Sequence, residues 1–278
     1  MAENVPVYDN HMHLDPRGRN IDALKEFESA GGTGLTLVTL PYADVRVSDA
    51  DGIARSYEIT LSMASRAREM TGLKVNVAVG PYPVLLLPLA ESLGLERAEK
   101  VMMSAMRYAA DLVASGRADA IGEIGRPHFV VPADIMEASN RILAYGMQLA
   151  SEVSCPVIVH SESGSPELMR ELSEMAGSVS LEPGMVIKHF SPPLVRDSET
   201  YGVMPSIPAS RKAVREALSN GDRFMLETDY IDDPERPGAV MSPNTVPRRV
   251  LGMLSNGEMR SETAWRIGDD IPRRLFGR

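Results

Sequence analysis

The chain is short of cysteine, histidine and positive charge, and the first and last of these shortages exclude something. One cysteine in 278 residues rules out an intramolecular disulfide framework. It fits a reducing compartment, so a cytoplasmic location is expected. Cys155 precedes Pro156 in an apolar stretch, which marks it as a buried structural thiol rather than a nucleophile. No uninterrupted apolar run reaches about 18 residues, so no membrane-spanning helix is expected. The opening Met1-Ala2-Glu3-Asn4 lacks the basic start and apolar stretch of a secretory signal. With 29 basic against 38 acidic residues, the net charge of −9 disfavours a broad nucleic-acid or anionic-membrane surface. A local basic patch stays open. No internal repeat and no Pro/Gly/Ser linker divides the chain, so one domain is expected over residues 1–278.

Short apolar runs alternate with longer amphipathic stretches. Strands are expected over Val5–His13, Gly34–Leu40, Lys74–Val79, Ala120–Ile124, Val157–His160, Met185–His189, Gly202–Ser206 and Phe224–Thr228. Helical patterns fill the intervals: Ile21–Ala30, Ser56–Met70, Leu95–Ser115, Ser139–Glu152, Glu167–Glu174 and Ser210–Ser219, then Pro247–Ser255 and Ser261–Leu275. Such alternation implies parallel strands joined by right-handed crossovers, and eight units suggest a closed (β/α)8 TIM barrel of the α/β class. The Pro-rich stretch Pro234–Pro247 reads as an ordered lid or rim.

The scarcity of histidine is informative because of where the five sit. His11 and His13 alternate on the first strand, so both point to one face. His160 and His189 end the fifth and sixth strands, Glu123 lies in the fourth, and Asp229 ends the eighth. Barrel enzymes place their chemistry at these carboxyl ends. Each residue alone has an ordinary reading: a satisfied histidine, a carboxylate paired with arginine, a turn aspartate. Together they form an imidazole–carboxylate set that would be costly to bury without cations. Six ligands overfill one tetrahedral catalytic site and suit two metals with Glu123 shared between them. Two cations about 3.5–4 Å apart can activate water and neutralise a developing negative charge. The mixed shell favours zinc, with manganese, iron, cobalt and, less suited, magnesium as alternatives. A closed structural zinc site is disfavoured, since such sites are commonly cysteine-rich.

At this point the sequence resembles the TatD-related branch of the metal-dependent amidohydrolase superfamily. The match rests on Asp9-Asn10-His11-Met12-His13-Leu14-Asp15, Gly122-Glu123-Ile124-Gly125, His160, His189-Phe190, Thr228-Asp229 and the closing Pro272-Arg273-Arg274-Leu275-Phe276-Gly277. The resemblance implies a TIM barrel, a binuclear centre and hydrolysis, often of DNA phosphodiesters. It would place one metal on His11, His13, Glu123 and Asp229, and the other on Glu123, His160 and His189. Asp229 and Glu123 are then the candidate catalytic residues, Asp229 orienting water and moving its proton.

Two departures from the family pattern bear on the substrate. Arg126-Pro127-His128 follows the Gly-Glu-Ile-Gly segment where the family has an aliphatic residue and Asp, and Glu162 stands where the family often has Arg. Arg126, His128, Glu162 and Lys188 are therefore the candidate substrate contacts. A phosphodiester, small or nucleic acid, is the first expectation for the substrate. A carboxylic ester, lactone or amide is the alternative.

Overall fold

A computed structural model of the protein describes residues 5–235 and 241–277. The reading of the first four residues, and the middle of the expected Pro234–Pro247 rim, lie outside the described residues. The strands are β1 (Tyr8–His13), β2 (Gly34–Val38), β3 (Lys74–Val79), β4 (Ala120–Gly125), β5 (Val157–His160), β6 (Val186–Lys188), β7 (Met204–Pro208), β8 (Met225–Glu227) and β9 (Tyr230–Ile231). They lie in the order β8-β7-β6-β5-β4-β3-β2-β1-β9, and every neighbouring pair is parallel. Only Thr228 and Asp229 separate β8 from β9, so one kinked strand joins the two ends of the sheet. Tyr230 and Ile231 of β9 pair with Met12 and His13 of β1. The fold is the TIM barrel the alternation implied, with its eighth strand broken at the candidate site.

The helices are α1 (Ile21–Ser29), α2 (Ala50–Met70), α3 (Leu86–Leu93), α4 (Leu95–Ala114), α5 (Ala133–Val153), α6 (Pro166–Ser178), α7 (Asp197–Thr200), α8 (Arg211–Asn220), α9 (Thr245–Ser255), α10 (Ser261–Trp265) and α11 (Ile271–Phe276). Two begin earlier than their apolar periodicity. In α2 the Asp49 side chain accepts from Gly52 N at 2.8 Å and caps the helix six residues before Ser56. Residues 133–137 of α5 face solvent wholly or in part, so its first buried residue is Ala138. The segment expected as one helix over Ser261–Leu275 is broken by a π turn at Arg266–Asp270. Helix α3 was hidden by Pro83 and Pro88, which read as loop residues but sit in a 3-10 turn and in a first helical turn. None of the described helices is long and apolar enough to cross a membrane.

Two apolar layers fix the barrel. Outside, Met12, Leu35, Val77, Ile121, Ile124 and Val159 pack against the helices with the buried Cys155. Inside, Tyr8, Val38, Ala78, Ala120, Ile158, Ile187, Met204 and Met225 supply one residue from each of β1 to β8. Ile271, Leu275 and Phe276 pack onto this inner layer from the C-terminal end of the chain. That apolar layer is the floor beneath the polar side chains.

Candidate metal centre

The local backbone explains how five strands, or the residues just after them, aim donors at one point. On β1, Met12 packs in the outer core, so its neighbours His11 and His13 turn into the barrel. On β4, strict alternation would put Glu123 on the side of Ile121. The pairing of β4 with β5 shifts register between Gly122 and Ile124. Ile121 and Ile124 both pack outside and Ala120 inside, which frees Glu123 to face inward. Such irregularities re-aim side chains beside active sites. Gly125 closes the segment at φ 142°, where an added Cβ would stand 1.9 Å from the His160 carbonyl oxygen. Asp229 sits at φ 52° in the break between β8 and β9, a left-handed conformation that Asp tolerates better than most residues.

The donor atoms converge closely. His11 Nε2 and His13 Nε2 are 3.0 Å apart. Asp229 Oδ1 lies 3.6 Å from His13 Nε2 and 4.0 Å from His11 Nε2. Glu123 Oε2 is 3.2 Å from His160 Nδ1 and 3.7 Å from Nε2 of both His11 and His189. His11, His13 and Asp229 thus form one ligand-like triad, and Glu123, His160 and His189 another.

This set fits metal ions on its own chemistry. The Val38 carbonyl oxygen, 3.0 Å from His13 Nδ1, can only accept, so Nδ1 carries a proton. In the neutral ring Nε2 is then a bare lone pair, facing Asp229 Oδ1 and a second imidazole nitrogen. Acceptors facing acceptors are repulsive until a proton or a metal ion lies between them; burial lowers the His13 pKa, but Asp229 and Glu123 outweigh it and raise it. Burial and the neighbouring imidazoles hold the His11 pKa well below the usual range. Burial pushes the Glu123 carboxyl up, but the His160 hydrogen bond and nearby imidazoles outweigh it and bring the pKa to about 2. The carboxylate is therefore ionised, and imidazoles that give up a proton beside it take the form metals bind.

Comparison with known proteins decides the family. The TatD-related DNase family matches residues 8–277. The chain belongs to this family. Its members are metal-dependent hydrolases on an amidohydrolase-like scaffold. The uncharacterized protein MJ1127 of Methanocaldococcus jannaschii is 35% identical over 280 residues, covering 99% of this chain and 97% of that protein. The uncharacterized metal-dependent hydrolase MJ0761 of the same organism is 23% identical over 232 residues, covering 80% and 83%. In the crystal structure of YJJV, a TatD homolog from Escherichia coli, 99% of each chain superposes with a TM-score of 0.69 at 18% identity, a likeness of fold.

Against the TatD pattern, the four candidate substrate contacts are placed as follows. Arg126 is buried and all five of its N–H groups are engaged. Nε and Nη2 donate to Glu162 at 2.9 and 2.8 Å, Nη1 and Nη2 donate to Glu171 at 2.8 and 3.0 Å, and Nη1 donates to Asn140 Oδ1 at 2.9 Å. Arg126 and Glu162 therefore neutralise each other. Lys188 is buried and its Nζ donates to the His189 carbonyl. Burial lowers its pKa to about 8, with Glu227 first among the carboxylates that oppose the shift. His128 is exposed and meets the His160 ring edge-on, with Nδ1 2.9 Å from His160 Nε2. None of the four lines the cavity of about 370 Å³ above the donors.

That cavity is walled by Asp15, Tyr82, Asp232, Asp233 and Glu235, besides His13, Glu123, His160, His189 and Asp229. Its described cation, Arg17, donates to Asp15 through Nε at 3.1 Å and Nη2 at 3.0 Å. Asp232 is buried and accepts from the Arg19 and Asn20 amides at 2.8 and 2.7 Å, which fixes the loop between β1 and α1. Burial raises the Tyr82 hydroxyl to about 12, so it stays a neutral donor in the wall.

Sequence reasoning missed the layer under the donors. Glu227 is fully buried, with Oε1 accepting from Phe190 N at 2.8 Å and standing 3.0 Å from His189 Nδ1. Ser206 Oγ donates to Glu227 Oε2 and accepts from Asn10 Nδ2 at 3.0 Å. Asp9 Oδ1 accepts from the amides of His11 and Thr228, both at 3.1 Å, and so ties β1 to the strand break. Glu227 lies two residues before Asp229 on one strand face, the signal that could have found it.

Proposed function

We propose that the protein is a hydrolase that works with two divalent cations, zinc first, held by His11, His13 and Asp229 on one side and by His160 and His189 on the other, with Glu123 shared. The observation that carries this reading is the placement of Glu123 Oε2 within 3.7 Å of imidazole nitrogens from three strands. When bound, such cations acidify a water molecule and offset the negative charge that builds on the substrate oxygen. Asp229, partly open to the cavity, takes the proton from the attacking water and returns it to the leaving group. Glu123 holds the two halves of the centre at fixed separation. Tyr82 donates a hydrogen bond from the cavity wall to bound substrate. The whole chain acts as one catalytic domain in a reducing cytoplasm, in keeping with its lone, buried Cys155.

A phosphodiester is the first substrate reading, supported by membership of a DNase family. A second reading, a small ester, lactone or amide, is favoured by the wall itself: Asp15, Asp232, Asp233 and Glu235 face the cavity, and Arg17 is already bound to Asp15. The test is turnover of a substrate panel with zinc, manganese and cobalt. Cleavage of oligonucleotides that falls steeply with salt supports the phosphodiester reading. Salt-insensitive cleavage of neutral esters supports the second. No metal-stimulated hydrolysis of any member of the panel would sink both.

A further inference from the structure

Glu227 has no role among the proposed ligands, yet its surroundings are unusually complete. It is fully buried in β8, one layer below the donor atoms. Both oxygens are already spoken for: the Phe190 amide donates to Oε1 at 2.8 Å and the Ser206 hydroxyl donates to Oε2. Ser206 on β7 is itself held by Asn10 Nδ2 of β1 at 3.0 Å. A chain of polar groups from three strands thus ends on one carboxylate. The third contact of the carboxylate is His189 Nδ1, 3.0 Å from Oε1 and off the line of a full hydrogen bond.

We propose that Glu227 is a positioning residue that sets the face of His189 turned toward the metals, with Ser206 and Asn10 as its props. The inference rests on the metal-centre reading above. Phe190 N and Ser206 Oγ both donate to Glu227, so its oxygens act as acceptors, and the nitrogen 3.0 Å from Oε1 is the one suited to carry a proton. Glu227 therefore keeps Nδ1 protonated and leaves Nε2 as the nitrogen that faces Glu123 Oε2 at 3.7 Å. Without it the ring is free to present either nitrogen, and the adjacent His11 ring, stacked at 3.8 Å, gives no directional restraint. The carboxylate also anchors the residue after the ligand, because Phe190 takes φ 50° and presents its amide to Oε1. Glu227, His11 and His189 also lie close enough to suggest a metal triad of their own. The occupied oxygens argue for a prop rather than a ligand.

Zinc binding separates these roles without reference to turnover. The experiment measures zinc per chain and its affinity by chelator competition in the wild-type protein, Glu227→Gln, Glu227→Asp and Ser206→Ala. It adds ¹⁵N histidine spectra of the zinc-loaded proteins. The wild-type protein should hold two zinc ions with His189 ligating through Nε2. Glu227→Gln should weaken one site about 10- to 100-fold, the usual cost of losing an outer partner of a ligand histidine. Its His189 signal should lose the protonated Nδ1 signature, while Glu227→Asp recovers part of the affinity. Ser206→Ala should weaken the same site by a smaller factor, because it loosens Glu227 without removing it. Unchanged affinity and an unchanged His189 signal in Glu227→Gln overturn the inference. Loss of both zinc ions with a collapsed melting transition in Glu227→Gln, and wild-type zinc affinity in Ser206→Ala, overturn it too. If the wild-type protein binds no zinc, manganese or cobalt, the metal-centre reading itself falls.

Discussion

The Arg126 cluster and the histidine centre both grow from β4, yet they handle charge in opposite ways. Arg126 has five N–H donors and five acceptor contacts, supplied by Glu162, Glu171 and Asn140. The Arg126 fork has no donor left over for a ligand, and the cluster ties the ends of β4 and β5 to α5 and α6. Around Glu123 the balance is reversed. Ring nitrogens of His11, His13 and His189 and carboxylate oxygens of Glu123 and Asp229 face one another at 3.6 to 3.7 Å, longer than a hydrogen bond. Polar groups that complete one another make structure, and polar groups that share the same deficit make a binding site. The lesson concerns residue type as well: an arginine beside an active site is not a substrate contact if its fork is already filled.

The comparison can be broken most sharply at Asp229. Asp229→Asn should fold normally, because Asn also tolerates the φ of 52°. Metal content should stay near the wild-type level while kcat falls about 10²- to 10⁴-fold, the usual worth of a proton-transfer group. Retained turnover on the best substrate of the panel would remove Asp229 from the mechanism. Next in size is Glu123→Gln, which replaces the shared carboxylate with a neutral amide. Zinc measured by atomic spectrometry should drop from two ions per chain to one or none, with little change in the far-ultraviolet circular dichroism.

The Arg126 side of the comparison predicts the opposite pattern. Arg126→Met should leave zinc content unchanged but lower unfolding free energy by about 1–3 kcal/mol, since it strands Glu162 and Glu171, both partly exposed to water. Denaturant unfolding checks this, and a loss of zinc without a loss of stability would reverse the assignment. The smallest effect is expected for Glu171→Gln, less than about 1 kcal/mol at neutral pH because the side chain is half exposed. The Arg126 hydrogen bond lowers the Glu171 pKa below its ordinary 4.5. A depressed carboxyl pKa stabilises the fold above that value and loses the contribution as pH falls below it. The stability gap between Glu171→Gln and the wild-type protein should therefore close on acidification and widen toward neutrality.

Much of this was legible along the chain because periodicity and position are local properties. β3 and β5 follow their apolar runs residue for residue, Lys74–Val79 and Val157–His160. The candidate ligands were legible for a related reason: in a parallel barrel, the end of every strand lies on the same rim. Helix starts such as Asp49 and the solvent-facing first turns of α5 were not, since capping and exposed turns carry no apolar signal. Strand β7 starts at Met204 rather than Gly202 because Gly202 takes φ 90° and the Val203 amide donates to the Thr200 carbonyl, which holds that stretch in a turn.

The sequence by itself determined the barrel, the family and the histidines and carboxylates that meet at its rim. Alternating strands and helices, and donors at strand ends, leave few other ways to arrange these residues. Only the tertiary structure decided what each polar group faces. It spent Arg126 on Glu162 and Glu171, buried Lys188 against a carbonyl, lined the cavity with carboxylates and set Glu227 beneath His189. Those outcomes depend on side chains from distant strands meeting within 3 to 4 Å, and spacing along one chain does not encode such distances.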